Sequence, residues 1–317
     1  MIMEVTSDQS SPDFTHEPVL LAEITEVFDV VPPGVVLDAT VGGGGHSRAI
    51  LERRSDIGVL AMDRDADAIT AARANLSTFA GRVVFHHGRF DTLNEAMASH
   101  GISVLSGALF DLGVSSHQFD VAERGFSYRF DAPLDMRMDR SQDRTAGDLV
   151  NGASEEELSR VLRNFADERF ALRIARAIIA ARPIRSTMHL SDIVASAIPA
   201  PARRRGGHPA KRTFQALRIA VNEELSVLPR ALDLAVTHTC SGGRVAVLSY
   251  HSGEDRIVKE RFGHHSTGGC RCPQGLPCMC GAQPLVRKIR VPAKPTDQEQ
   301  MRNRRSTSAR LRVVEVL

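Results

Sequence analysis

An apolar run closes on Asp38, four contiguous glycines follow at Gly42–Gly45, and His46 and Ser47 open a helix-forming segment. Glycine lets backbone N–H groups approach a ligand with no Cβ in the way, and a helix start points its positive end at an anionic group. Together these residues read as a nucleotide-cofactor loop. Two cofactor classes share that physics. A nicotinamide site wants G-x-G-x-x-G directly after the strand, to seat a pyrophosphate, and Gly42-x-x-Gly45 has no third glycine in register. An S-adenosylmethionine site needs no diphosphate cradle: it holds a carboxylate at the helix start and tolerates a sulfonium, which Asp38 is placed to balance. The spacing favours the cationic methyl donor.

Three further groups carry chemistry. Asp63, 25 positions after Asp38, ends a second apolar run and suits ribose hydroxyls; the competing role is an N-cap for the segment after Arg64. Asp111-Leu-Gly-Val-Ser-Ser-His-Gln118 sets an acid before small residues, so a ligand can meet backbone and carboxylate together. Tyr250-His251-Ser252-Gly-Glu254-Asp255-Arg256 packs polar groups just past another apolar run. Glu254 and Asp255 read as first-turn capping residues, whereas Tyr250 suits stacking of a flipped base, with His251 or Ser252 reading its edge.

The elements that must hold these residues are short apolar runs at Val35–Asp38, Val59–Asp63, Val83–His87 and Ala108–Asp111, separated by helix-length segments, as in a parallel sheet covered on both faces. Ligands of such sheets bind at the strand ends where these acids stand. The next run, Arg244–Tyr250, lies too far on for an ordinary βα loop of roughly 2–6 residues, so a folded unit is inserted. Its pattern is helical: Ser154-x-x-Glu157 is a capping box before Leu158, Val161, Leu162 and Phe165, and a later helix carries Phe214, Leu217, Val221 and Leu225. Val286–Val291 and Leu311–Val316 read as two last strands, separated by a polar, mobile stretch from Lys294 to Ser308.

At 317 residues and 42% hydrophobic, the chain can bury one large core or two smaller ones. No apolar run is long enough for a bilayer, and Met1–Pro12 is polar and acidic rather than a signal peptide, so a cytoplasmic protein is expected. Five cysteines suggest no secreted disulfide framework.

The net charge of +2 conceals an asymmetry: Arg160–Arg218 holds 13 basic residues against 3 acidic ones, leaving 27 basic against 35 acidic elsewhere. Polyanion binding is the natural reading. For Arg160, Arg163, Arg173 and Arg176 a solvated helix face serves as well. Arg203-Arg-Arg205-Gly-Gly-His-Pro-Ala-Lys211-Arg212, broken by glycine and proline, reads as a phosphate-contacting loop. Arg287–Arg312 forms a second basic stretch.

Several motifs occur jointly: His16-Glu-Pro-Val-Leu-Leu21, Gly42-Gly-Gly-Gly-His-Ser47, Asp111-Leu-Gly-Val-Ser-Ser116, Ala122-Glu-Arg-Gly-Phe-Ser127, Pro133-Leu-Asp-Met-Arg-Met-Asp139, Thr213-Phe-Gln-Ala-Leu-Arg218 and His251-Ser-x-Glu-Asp-Arg-Ile-Val258. Together they resemble the RsmH (MraW) family. The resemblance implies an α/β class I S-adenosylmethionine-dependent methyltransferase fold, a Rossmann-like and mostly parallel sheet with an inserted all-α domain. It also implies methylation of the exocyclic N4 of one cytidine in the decoding region of 16S ribosomal RNA, within the assembled small subunit. Carried over by position, the cofactor contacts fall on Gly44, Gly45, His46, Asp63, Phe90, Asp111 and Gln118, and the catalytic residues expected are Asp111 and His251. The domain division expected is an unstructured 1–12, a discontinuous methyltransferase domain at 13–121 and 236–317, and a helical RNA-recognition insert at 122–235. Two positions depart from the family pattern: Gly253 stands where Leu is common, and Tyr250 where Phe is frequent.

Two alternatives stay open from sequence, a nicotinamide oxidoreductase and an assembly factor that binds RNA without transferring methyl groups; the basic insert argues against the first and the intact glycine loop against the second. Cys270-x-Cys272-x5-Cys278-x-Cys280 suits structural zinc, yet paired C-x-C is not the usual C-x-x-C knuckle. A metal site and a reduced loop are both open, and no metal belongs to the expected catalytic set.

Overall fold

The computed structural model describes residues 18–204, 207–273 and 279–317. The expectations for residues 1–12, His16, Arg205 and Cys278 lie outside the described residues.

Among the described residues seven strands, β1 (Gly34–Asp38), β2 (Ile57–Asp63), β3 (Val83–His87), β4 (Leu105–Asp111), β5 (Thr239–Ser249), β6 (Val286–Ile289) and β7 (Arg310–Val316), form one sheet in the order β3-β2-β1-β4-β5-β7-β6. The first five pair in parallel; β7 runs antiparallel between β5 and β6. This is the class I methyltransferase arrangement. Strand order reverses at β1, between β2 and β4, which opens a crevice at the carboxyl ends.

The central strands β1, β2 and β4 and the second half of β5 are apolar because both faces are covered, whereas β6 at the sheet edge exposes Arg287 and Lys288. Side chains alternate between two cores: Leu37, Ala108, Phe110, Val245 and Val247 meet the helices Leu93–Ser99, Glu224–His238 and Ser252–Thr267 on one side. Val36, Leu109, Ala246 and Leu248 meet the helix Leu21–Phe28 and Ile50 on the other. Gly107 makes one such approach possible, since a Cβ there would lie 2.8 Å from the Phe28 ring.

The insert has its own core, running from Phe126 to Val221 and built from the helices Ala146–Gly152, Glu155–Ala166, Ala171–Ala180, Thr187–Ala197 and Lys211–Asn222. Two expectations are corrected here. Leu225 does not continue the helix of Phe214, Leu217 and Val221, because Glu223 takes a left-handed conformation (φ 53°) and a new helix starts at Glu224. That helix buries Leu228, Ala231, Leu232 and Ala235 against the sheet, so residues 224–235 pack with the methyltransferase domain rather than with the insert. A third correction concerns Lys294–Ser308, which contains the helix Asp297–Arg302 and a 3-10 turn; Glu299 accepts a hydrogen bond from the Leu20 N–H at 2.8 Å.

Entry and exit of the insert are stitched to the carboxyl edge of the sheet. Arg124, 2% exposed, donates to Asp65 Oδ2 at 2.7 Å and to the Met138 carbonyl at 2.9 Å. Asn222 donates to the Met136 carbonyl and accepts from the Met138 N–H, while Arg64 donates to the Asn222 carbonyl. Among the described residues no helix is long and apolar enough to cross a membrane.

Candidate active site

The glycine loop leaves β1 and turns directly into the helix Gly45–Arg53. Gly44 (φ 82°) is its N-cap, a conformation that side chains resist, and a Cβ on Gly45 would lie 2.4 Å from Pro18. Asp38 does not face the crevice. It is 2% exposed, accepts from Ser47 Oγ at 2.6 Å and is pushed by burial above the usual carboxylate range. Asp38 therefore holds the first turn of the helix behind the loop. His46 is anchored likewise, with Nε2 3.0 Å from the Val19 carbonyl, leaving Nδ1 3.7 Å from Asp111 Oδ2.

Asp63, at the end of β2, accepts from the Gly42 N–H and the Asp65 N–H, each at 2.9 Å. The N-cap of the next helix is Asp65, so the capping role weighed for Asp63 belongs to its neighbour. Burial raises the Asp63 carboxyl to about 6 even though both N–H groups favour its ionised form. Each carboxylate oxygen has a second lone pair, which makes Asp63 an acceptor pair tied rigidly to the glycine loop.

Phe90 follows β3, half-buried, with its ring edge-to-face on Phe110 at 5.8 Å. Gln118 sits in the first turn of the helix Ser116–Asp120. Its amide donates to Asp65 Oδ2 at 2.7 Å, the oxygen that Arg124 also engages, and its carbonyl accepts from the Ser115 N–H at 3.0 Å. Both ends of the Gln118 side chain are thus engaged within the protein.

Asp111 closes β4 beside the crevice. Its N–H donates to Thr40 Oγ1 at 2.7 Å, which joins the ends of β1 and β4, and its carboxylate, 27% exposed, accepts from the Tyr250 hydroxyl at 2.7 Å. Burial, then the Asp111 charge, pushes the Tyr250 phenol well above its ordinary value, so it remains a donor at neutral pH. His251 is the N-cap of the helix Ser252–Thr267, its Nδ1 3.4 Å from the Glu254 N–H and its Nε2 3.2 Å from Glu254 Oε1. The Glu254 carboxylate returns the contact, accepting from the Tyr250 N–H at 2.7 Å. Burial works to raise the Glu254 carboxyl, but the adjacent His251, the Arg218 charge and the Tyr250 N–H together hold it low. The capping role expected for Glu254 is what the geometry has, and Asp255 pairs with Arg312 at 2.7 Å.

The structure therefore gathers Gly44, Gly45, His46, Asp63 and Asp111 at one edge, with Phe90 close to the β4 end and Tyr250 bridging to β5. Sequence reasoning missed Thr40, Arg124 and the partnership of Asp65 with Gln118. Only the acid at position 65, two residues past a strand end and before a helix, signalled any part of this. The donor set fits S-adenosylmethionine: a glycine loop into a helix start for its carboxylate, an acceptor pair at Asp63 for a diol, an apolar ring at Phe90 for a base, and a partly exposed acid at Asp111.

The MraW methylase family model matches residues 13–317. The chain is 49% identical to the ribosomal RNA small subunit methyltransferase H of Heliobacterium modesticaldum over 95% of this chain and 98% of that one. It is 49% identical to the same-named protein of Symbiobacterium thermophilum, over 95% and 96%, and 47% identical to that of Thermobifida fusca, over 97% and 95%. Among solved structures, an rRNA methylase from Streptococcus thermophilus overlays with a TM-score of 0.40 at 13% identity, over 94% of this chain and 93% of that one. Glycine loop, strand-end acids and helical insert accompany a match that runs nearly end to end: the chain belongs to the MraW methylase family.

Proposed function

We propose that this small-subunit ribosomal RNA methyltransferase, which uses S-adenosylmethionine, acts in the cytoplasm on the exocyclic N4 of one cytidine in the decoding region of 16S RNA, within the assembled small subunit. The observation that carries the reading is the Asp111 carboxylate, partly exposed at the crevice and oriented by the Tyr250 hydroxyl at 2.7 Å.

Cytosine N4 is a poor nucleophile because its lone pair is delocalised into the ring. Bound S-adenosylmethionine supplies an electrophilic methyl group on a sulfonium. What the chain must add is orientation. The glycine loop and the helix Gly45–Arg53 offer backbone N–H groups and a positive helix end to the cofactor's carboxylate. Asp63 accepts ribose hydroxyls, and the Phe90 ring walls the adenine. Asp111 accepts a hydrogen bond from the target amine, which fixes the direction of the N4 lone pair and favours the positive charge that develops on nitrogen. Tyr250 and His46 keep that carboxylate in one position. His251 acts as a positioning residue: through its capping contact with Glu254 it fixes the turn that carries Tyr250.

The insert, joined to the crevice edge through Arg124 and Asn222, carries the basic loop that contacts RNA phosphates in this reading. Arg203, Arg204 and Lys211 are exposed, and His208 stacks on Tyr128 at 4.2 Å, which anchors the loop to the insert. Other basic residues are used internally: Arg218 pairs with Glu224, Arg176 with Glu155, and Arg182 caps carbonyls of Val150 and Ala153. Deleting the gene tests the reading. Small-subunit RNA from the deletion strain should lose N4-methylation at one cytidine, regained with the wild-type gene but not with Asp111→Ala; unchanged nucleosides would refute it.

A further inference from the structure

The residues between the helix Ser252–Thr267 and β6 take no part in the chemistry above. The ends of this excursion are drawn together, with the Leu285 N–H donating to the His265 carbonyl at 2.9 Å and Gly268 (φ 60°) pressed against Gln283. Nothing apolar holds its interior: among the described residues of 268–284 no hydrophobic side chain is buried, and Met279 is 89% exposed. A loop with no core of its own keeps a defined shape only when something else staples it.

Cys270, Cys272 and Cys280 meet here, with their sulfur atoms all within 4.8 Å of one another. Thiolates around a tetrahedral zinc, at Zn–S distances of about 2.3 Å, stand about 3.8 Å apart, so sulfur atoms that lie within 4.8 Å of one another need a contraction of at most about 1 Å to close on an ion. A thiolate set selects a soft ion, zinc before magnesium or calcium.

We infer that Cys270, Cys272 and Cys280 are ligands of a structural zinc ion that staples the loop joining the helix Ser252–Thr267 to β6. The ion is structural rather than catalytic. The helix has 16 residues, which sets its far end about 24 Å from the turn that carries His251.

Metal analysis of the full-length protein, purified under reducing conditions and supplemented with zinc before desalting, tests this. Wild type and Cys240→Ser, whose thiol lies outside the cluster, should each retain one zinc per chain. Cys270→Ser and Cys272→Ser should retain none, with far-UV circular dichroism reporting whether each is folded. Cobalt(II) added to metal-free wild type should give a thiolate-to-cobalt charge-transfer band and the d–d spectrum of a tetrahedral site. Zinc-free wild type without a cobalt spectrum overturns the inference. So does full zinc in Cys272→Ser, or a disulfide within the loop of the protein as isolated.

Discussion

The Tyr250 hydroxyl donates to Asp111 Oδ1 at 2.7 Å and so joins the carboxyl ends of β4 and β5. The two residues have separable effects. Tyr250→Phe keeps the ring and removes one donor; Asp111 is partly exposed, so water takes the donor's place and the net cost is that of an ordinary hydrogen bond, about 0.5–1.5 kcal/mol. Its kcat/KM should stay within about tenfold of wild type. Asp111→Ala removes the acceptor itself and should lower kcat/KM for RNA about 100-fold, the scale of losing one preorganised polar group at a reacting centre. Steady-state methyl transfer by both variants decides this; wild-type rates for Asp111→Ala would remove Asp111 from the mechanism.

Asp63 gives a pH dependence with a definite sign. Because burial raises its carboxyl to about 6 in the folded protein, its contribution to stability is fully present below the ordinary carboxylate value near 4 and is lost as pH rises through about 6. Cofactor binding runs the other way, since a ribose diol needs the ionised acceptor. Calorimetric titration with S-adenosylmethionine should show affinity rising from pH 5 to pH 7 and then levelling, with the step absent in Asp63→Asn. An equal pH step in that variant would assign the titration elsewhere.

Arg124 and Asp65 form a buried pair, 2% and 4% exposed, at the junction between insert and sheet. Removing one partner leaves a buried charge uncompensated, so Arg124→Met should lower the unfolding free energy by about 3–5 kcal/mol. Adding Asp65→Asn should recover part of the loss. Denaturant unfolding of the two single variants and the double variant measures the coupling, and simple additivity would show that the pair does not act as a unit.

How far these features were legible in the sequence follows from how local their causes are. The strands were legible because most of them are apolar runs bounded by turn residues, and the glycine loop because its constraint is local; the polar start of β5 at Thr239, ahead of the run at Arg244, was not. The break at Glu223 was not, since a left-handed residue that is neither glycine nor asparagine leaves no mark, and Leu225 continues the helical period of Phe214 and Leu217 across it. Asp38 and Asp63 look alike in sequence, each closing a strand before a helix. Only the structure shows one turned inward to Ser47 and the other bracing Gly42. Arg124 lies in a motif that carried the family resemblance but no sign of burial, because its burial depends on an acid nearly 60 positions away.

The basic loop makes a salt-dependent prediction. Arg203, Arg204 and Lys211 are exposed, and each phosphate contact on single-stranded RNA contributes about 0.7 to the slope of log K against log salt. Replacing all three by alanine should reduce that slope by about 2 and weaken RNA binding without altering affinity for S-adenosylmethionine. Fluorescence anisotropy across a salt series reads it, and an unchanged slope would place the RNA on another face.

The central claim is tested most directly by transfer of labelled methyl from S-adenosylmethionine to small ribosomal subunits isolated from cells lacking this protein, followed by nucleoside mass analysis. The account predicts label in N4-methylated cytidine at a single position. Label in a different nucleoside, or no label while S-adenosylmethionine still binds, would contradict it.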